Sequence, residues 1–259
     1  MKSRFAIKKR GEWRVTREGK ITSPDTCHLS FPLAVLLAAS VSIAASAQIG
    51  GAGWVSLPLS FKVQWPYNVP QDTRYGFTNG IYHCLVCRGD APFAYGNRTR
   101  PRTEQRFTPD YTRGEIQYQA RLMAPSNETS YCVFQIHTGN AQSHAYGATT
   151  CMLFWFSHDG GSLHVYGGTE LAKDLSGRWF QLNVDHNLVT RTIKVWINRE
   201  LVWTQRDNGA GDFYMKDGVY QQGRHPSSKM ETYITDLHLW TSSGKPTGSP
   251  TGEKRNHDP

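Results

Sequence analysis

The chain of 259 residues lacks a sustained helical period. No stretch of ordinary helix length repeats its apolar residues every 3.6 positions, which argues against a βαβ fold with a parallel sheet. The motifs HExxH, GxSxG and Walker A are also missing, so nothing marks a zincin-type protease, an α/β-hydrolase or a P-loop NTPase. One CxxC occurs, Cys84 to Cys87, without a second to complete a zinc site. Six of the ten histidines, at 144, 158, 164, 186, 225 and 238, are scattered without metal-ligand spacing. The expectation is chemistry without a metal or other cofactor. No internal repeat is present. No Asp/Glu pair stands out for glycoside hydrolysis, with Glu104 and Asp217 left open to that role.

Aromatic residues make up 12% of the chain, with 8 Trp and 24 Gly, a composition that favours β structure. Residues 1–30 hold eight Lys/Arg against three Asp/Glu, so much of the formal net charge of +8 belongs to the start of the chain. The basic balance is therefore a weak argument for nucleic acid, and no nucleic-acid partner is expected. Residues 31–47, FPLAVLLAASVSIAASA, form an uncharged run ending in a small-x-small pattern. They are read as a signal peptide cleaved after Ala47, leaving a secreted or periplasmic protein with no membrane attachment and acting as a monomer. Residues 241–259 are rich in Gly, Ser, Pro and Thr and read as a disordered tail. Residues 48–240 remain as one domain. Its four cysteines, Cys84, Cys87, Cys132 and Cys151, are an even number in an oxidising compartment, where some pairing is plausible. Asn97 and Asn127 stand in glycosylation sequons.

From about Ile116 onward, short alternating segments are separated by Gly, Asn and Asp turns. The fold class expected is all-β: a jelly-roll sandwich of two antiparallel sheets, with a concave substrate groove on one of them. Alternation then sorts side chains onto faces. In residues 214–222, YMKDGVYQQ, one face carries Tyr214, Lys216, Gly218, Tyr220 and Gln222, while Met215 and Val219 point to the core. In RTEQR the shared face holds Arg102, Glu104 and Arg106. In YCVFQIH it holds Gln135 and His137. Gly218 leaves bare backbone where a pyranose ring could approach.

These residue types suit β-elimination at the 4-O-glycosidic bond of a uronic-acid polymer. The C5 proton is weakly acidic because the adjoining carboxylate is already negative. Arg, an amide and an imidazole can neutralise that carboxylate as preorganised donors. A Tyr phenol, made more acidic by a nearby cation, can move the proton. Arg102 and His137 are expected beside Tyr220.

The segments RTEQR, QIH and YMKDGVYQQ, in that order over roughly residues 50–240, resemble the three motifs of the alginate lyases of polysaccharide lyase family 7. The usual forms there are R-(T/S)-E-L-R, Q-(I/V)-H and Y-F-K-A-G-x-Y-x-Q. The resemblance implies a β-jelly roll, no catalytic metal and an acidic polysaccharide as partner. It also implies that Arg102, Gln135 and His137 neutralise the carboxylate and that Tyr220 is the catalytic phenol. Glu104, Arg106, Lys216, Tyr214 and Gln222 would bind or position sugar. Gln105 and Asp217 depart from the usual Leu and Ala, which leaves alginate and glucuronan both open as substrates. A lectin-like module that binds without turnover is the competing class.

Overall fold

The computed structural model describes residues 14–15, 21–22, 49, 53–125, 130–138, 149–157, 160–222 and 229–242. A two-residue pair, β1 (Arg14–Val15) with β2 (Ile21–Thr22), precedes two antiparallel sheets. The first sheet has seven strands: β4 (Phe61–Gln64), β7 (Arg102–Phe107), β9 (Tyr131–Thr138), β10 (Thr149–Phe156), β11 (Ser162–Val165), β12 (Glu170–Ala172) and β16 (Phe213–Gln221). Their spatial order is β12-β11-β10-β9-β16-β7-β4. The second contains β3 (Trp54–Leu57), β5 (Tyr75–Thr78), β6 (Ile81–Cys87), β8 (Glu115–Met123), β13 (Phe180–Asn187), β14 (Thr192–Ile197), β15 (Glu200–Arg206) and β17 (Lys229–Ser242). Its order is β15-β14-β13-β8-β17-β6-β5, with β3 paired to β17. The all-β jelly-roll expectation holds. Among the described residues the helical content is one 3-10 turn at Gln71–Thr73, and no helix is long and apolar enough to cross a membrane.

The sheets pack face to face through one continuous core that includes Trp155, Phe134, Leu153, Leu122, Val184 and Ile193. Burying each large apolar side chain contributes roughly 1.5–3 kcal/mol relative to leaving it exposed. Met215 and Val219 lie in this core, as their alternate positions in β16 require. Local turn chemistry fixes the hairpins. Asn79 and Gly80 between β5 and β6, and Asn198 and Arg199 between β14 and β15, all have positive φ, as two-residue type I′ turns need.

Strand structure begins earlier than the alternation after Ile116 suggests. Four strands, β3 to β6, lie between Trp54 and Cys87. Three of them are only four residues long, too short for alternation to stand out. The Cys84–Cys87 segment is the interior of β6, where residues three apart point to opposite faces, so the two thiols cannot converge on a metal. Cys84, Cys132 and Cys151 are buried free thiols, so the pairing expected within the four does not form; Cys87 is disulfide-bonded to a cysteine outside the described residues. The apolar run 31–47 with its cleavage point, the Asn127 sequon and the expected tail beyond 242 lie outside the described residues.

Candidate active site

Three adjacent strands carry the residues singled out in the sequence. β16 lies between β9 and β7, and the register places Tyr220 opposite Arg102, Gly218 opposite Glu104, Lys216 opposite Gln135 and Tyr214 opposite His137. The floor is closely covered: Arg102 is 6% exposed, Glu104 2%, Gln135 2% and Lys216 3%. Charges that deep require partners, because an unpaired buried ion costs several kcal/mol. Glu104 supplies the centre. Its Oε1 accepts from Gln135 Nε2 at 2.6 Å, and its Oε2 accepts from Arg102 Nη1 at 3.3 Å. The Lys216 ammonium lies 3.7 Å from the same carboxylate and donates to Gln64 Oε1 at 2.8 Å. Burial brings the Lys216 amine down to about 8; Glu104 opposes this, and Arg102 and Arg106 add to it. Lys216 is thus an internal brace, and its ammonium points at protein partners.

The two ends of this network differ. At one end the Arg102 guanidinium sits 4.1 Å from the centroid of the Tyr220 ring and 5.1 Å from that of Phe93, which restricts its motion by cation–π contact. Its Nε is buried with no hydrogen-bond partner among the described residues. At the other end His137 Nδ1 and the Tyr214 hydroxyl are 3.0 Å apart, and the two rings stack at 5.2 Å. The Arg106 guanidinium covers the Tyr214 ring at 3.9 Å and donates to Asp110 at 2.8 Å. Burial raises the Tyr214 phenol, while Arg106 pulls it the other way. His137 is therefore engaged with Tyr214, whereas Arg102 alone of the two expected neighbours contacts Tyr220. Gln222 follows the end of β16, half-buried, with its amide nitrogen unpartnered among the described residues.

Two readings change. Gly218 does not open space above the sheet. It has φ +123, next to a register shift between Asp217 and Tyr220, and a Cβ there would lie 2.4 Å from the Thr103 carbonyl oxygen and 3.2 Å from Cys84 Sγ. The glycine lets β16 approach β7. The two departures, Gln105 and Asp217, are cross-strand neighbours on the core side. Both are fully buried; Gln105 donates to the Tyr75 hydroxyl at 2.9 Å, and Asp217 accepts from the Tyr118 hydroxyl at 2.8 Å. They form a polar island behind the site and do not reach its surface. Gln64, Phe93 and Asp110 were not legible as site residues. Gln64 faces Glu104 in register from the edge strand β4, and the other two lie in loops. Among the described residues no three His, Cys, Asp or Glu cluster as metal ligands.

A sequence model described as alginate lyase matches residues 55–241. A citrate-binding protein of Hevea brasiliensis is 31% identical over 200 residues, covering 76% of this chain and 81% of that protein. Solved structures share the fold at low identity. An alginate lyase of Pseudomonas aeruginosa aligns at 17% identity over 69% of this chain and 96% of its own, with a TM-score of 0.56. A family 7 alginate lyase solved in complex with substrate aligns at 14% identity over 71% of this chain and 94% of its own, also at 0.56.

Proposed function

This chain belongs to the alginate lyase family, and on that premise we propose that it is a secreted polysaccharide lyase acting on a uronic-acid polymer, alginate first, by β-elimination. The observation that carries the reading is Arg102. Its guanidinium is held in place by the Phe93 and Tyr220 rings and oriented by a hydrogen bond to Glu104. A fixed cationic donor of this kind meets a carboxylate without having to reorganise. In the reaction Arg102 and Gln135 stabilise the charge that moves onto the substrate carboxylate as the C5 proton leaves. Glu104 orients both donors by accepting from each. The electrons of the C5–H bond form the C4–C5 double bond, and the C4–O4 bond breaks. The leaving O4 takes up a proton. Tyr220 serves one or both proton transfers, and His137, set in orientation by Tyr214, serves the other where C5–H and O4 lie on opposite sides of the ring.

A second reading is favoured by the relative named a citrate-binding protein: the same donors hold a small polycarboxylate and no bond is broken. Absorbance separates the two. The product double bond, conjugated to its carboxylate, absorbs in the near ultraviolet, and bound citrate produces no such signal. We expect polymannuronate, polyguluronate or glucuronan to give rising absorbance with the purified chain. The rate should fall at least about 10²-fold in Tyr220→Phe, the lower range for general acid–base catalysis. Absence of any rise alongside saturable citrate binding would establish the second reading instead.

A further inference from the structure

The loop between β6 and β7, residues 88–101, carries an aromatic surface that the elimination chemistry does not use. Tyr95 is 88% exposed, and Tyr67, from the turn after β4, is 47% exposed. Their rings meet edge to face, with centroids 5.6 Å apart and planes at 76°. Large exposed rings usually sit on segments free to bury them, but these segments are pinned. Asp90 accepts two bonds from Arg74, each 2.8 Å, and a third from the Cys87 amide at 2.7 Å. The Ala91 amide donates to Asn68 at 2.9 Å, and the Tyr67 amide donates to the Pro92 carbonyl at 3.0 Å. Both loops are thus fixed at their bases while presenting their rings to solvent.

The same loop reaches the site. Phe93, two residues before Tyr95, packs against the Arg102 guanidinium, which in turn covers Tyr220. Between Asp90 and Glu104 the sequence holds Arg98, Arg100 and Arg102 and no acid. A polyanion made of rings with an apolar face matches both properties, through stacking on the phenols and attraction to the guanidinium groups.

We propose that Tyr95 and Tyr67, with Arg98 from the same loop as Tyr95, form an outer sugar subsite that binds a uronate of the polymer beyond the Arg102–Tyr220 end of the groove. The proposal rests on the uronic-polymer reading of that groove. Its test is calorimetric titration with mannuronate–guluronate oligosaccharides, a disaccharide and an octasaccharide, in a Tyr220→Phe background so that the ligand is not consumed. Tyr95→Ala should weaken octasaccharide binding about 10-fold, the factor that about 1.4 kcal/mol produces. Disaccharide binding should not change, and Tyr95→Phe, which keeps the ring, should match the parent. Equal octasaccharide affinity in Tyr95→Ala and the parent would overturn the subsite and leave the groove reading intact. If the parent binds neither oligosaccharide but does bind citrate, the groove reading fails and the subsite fails with it.

Discussion

Lys216 and Asp217 are neighbours in sequence, both buried, and the sheet sends them to opposite faces. On the groove face Lys216 meets Gln64 and the Glu104 carboxylate, and its amine, though lowered to about 8, keeps its proton at neutral pH. On the core face Asp217 meets the Tyr118 hydroxyl, has one oxygen without a partner among the described residues, and lies near Glu104, a like charge on the far side of the sheet. Burial raises the Asp217 carboxyl well above the usual range, which favours its neutral form. Depth is similar on both sides, so the partner decides which charge survives. Charge on the groove side is kept by pairing within the protein, and polarity on the core side is kept by giving up its charge.

The sharpest way to break this division is at Gly218, where the two faces share a backbone. Gly218→Ala combines a strained positive φ with a Cβ driven into the Thr103 carbonyl, for a loss of about 4 kcal/mol in stability. Chemical denaturation should show a large fall in midpoint. An unchanged midpoint would mean that β16 is not held this close to β7. Next comes a change confined to the groove face. Arg102→Ala should cost about 2.7–4 kcal/mol in the barrier, or roughly 10²–10³ in turnover. The side chain does belong to the floor, so far-ultraviolet circular dichroism must first confirm the fold. Near-normal turnover in folded protein would remove Arg102 from the chemistry.

The smallest effect is expected on the core face. Near pH 4 Asp217→Asn should alter stability by no more than about 1 kcal/mol, since the carboxyl is already neutral and the amide still accepts from Tyr118. The folded pKa of Asp217 is raised, so its contribution is fully present below the unfolded value of about 3.9 and is lost as pH rises toward the folded value. The amide has no such dependence. The variant should therefore gain steadily on the parent as pH rises above about 4. Urea midpoints that stay parallel over that range would show that Asp217 is not a neutral buried acid.

Much of this division was legible in the letters of the chain. Strict alternation in residues 214–222 separates Tyr214, Lys216 and Tyr220 from Met215 and Val219, because a strand has a period of two. The all-β class followed from the same alternation and from Gly, Asn and Asp at the turns. What could not be read was which strand lies beside which. The pairing of His137 with Tyr214, the contact of Gln64 with Lys216 and the adjacency of Gln105 and Asp217 all depend on register between distant segments. Gly218 was assigned to the wrong space for the same reason, since its neighbour Thr103 comes from another strand. The early strands β3 to β5 went unseen because four residues carry too little pattern.

Those register-dependent contacts also fix when the site can exist. The Lys216–Gln64 bond joins residues 152 positions apart, the Tyr214–His137 bond spans 77 and the Gln135–Glu104 bond 31. Each loop must close before its contact returns any free energy, and all-β topologies of this kind fold slowly for that reason. No fragment containing one or two of β7, β9 and β16 holds the whole arrangement. A chain emerging from the ribosome carries the Arg102 and His137 segments long before the Tyr220 segment exists, and it stays inert until nearly all of the sandwich has been made.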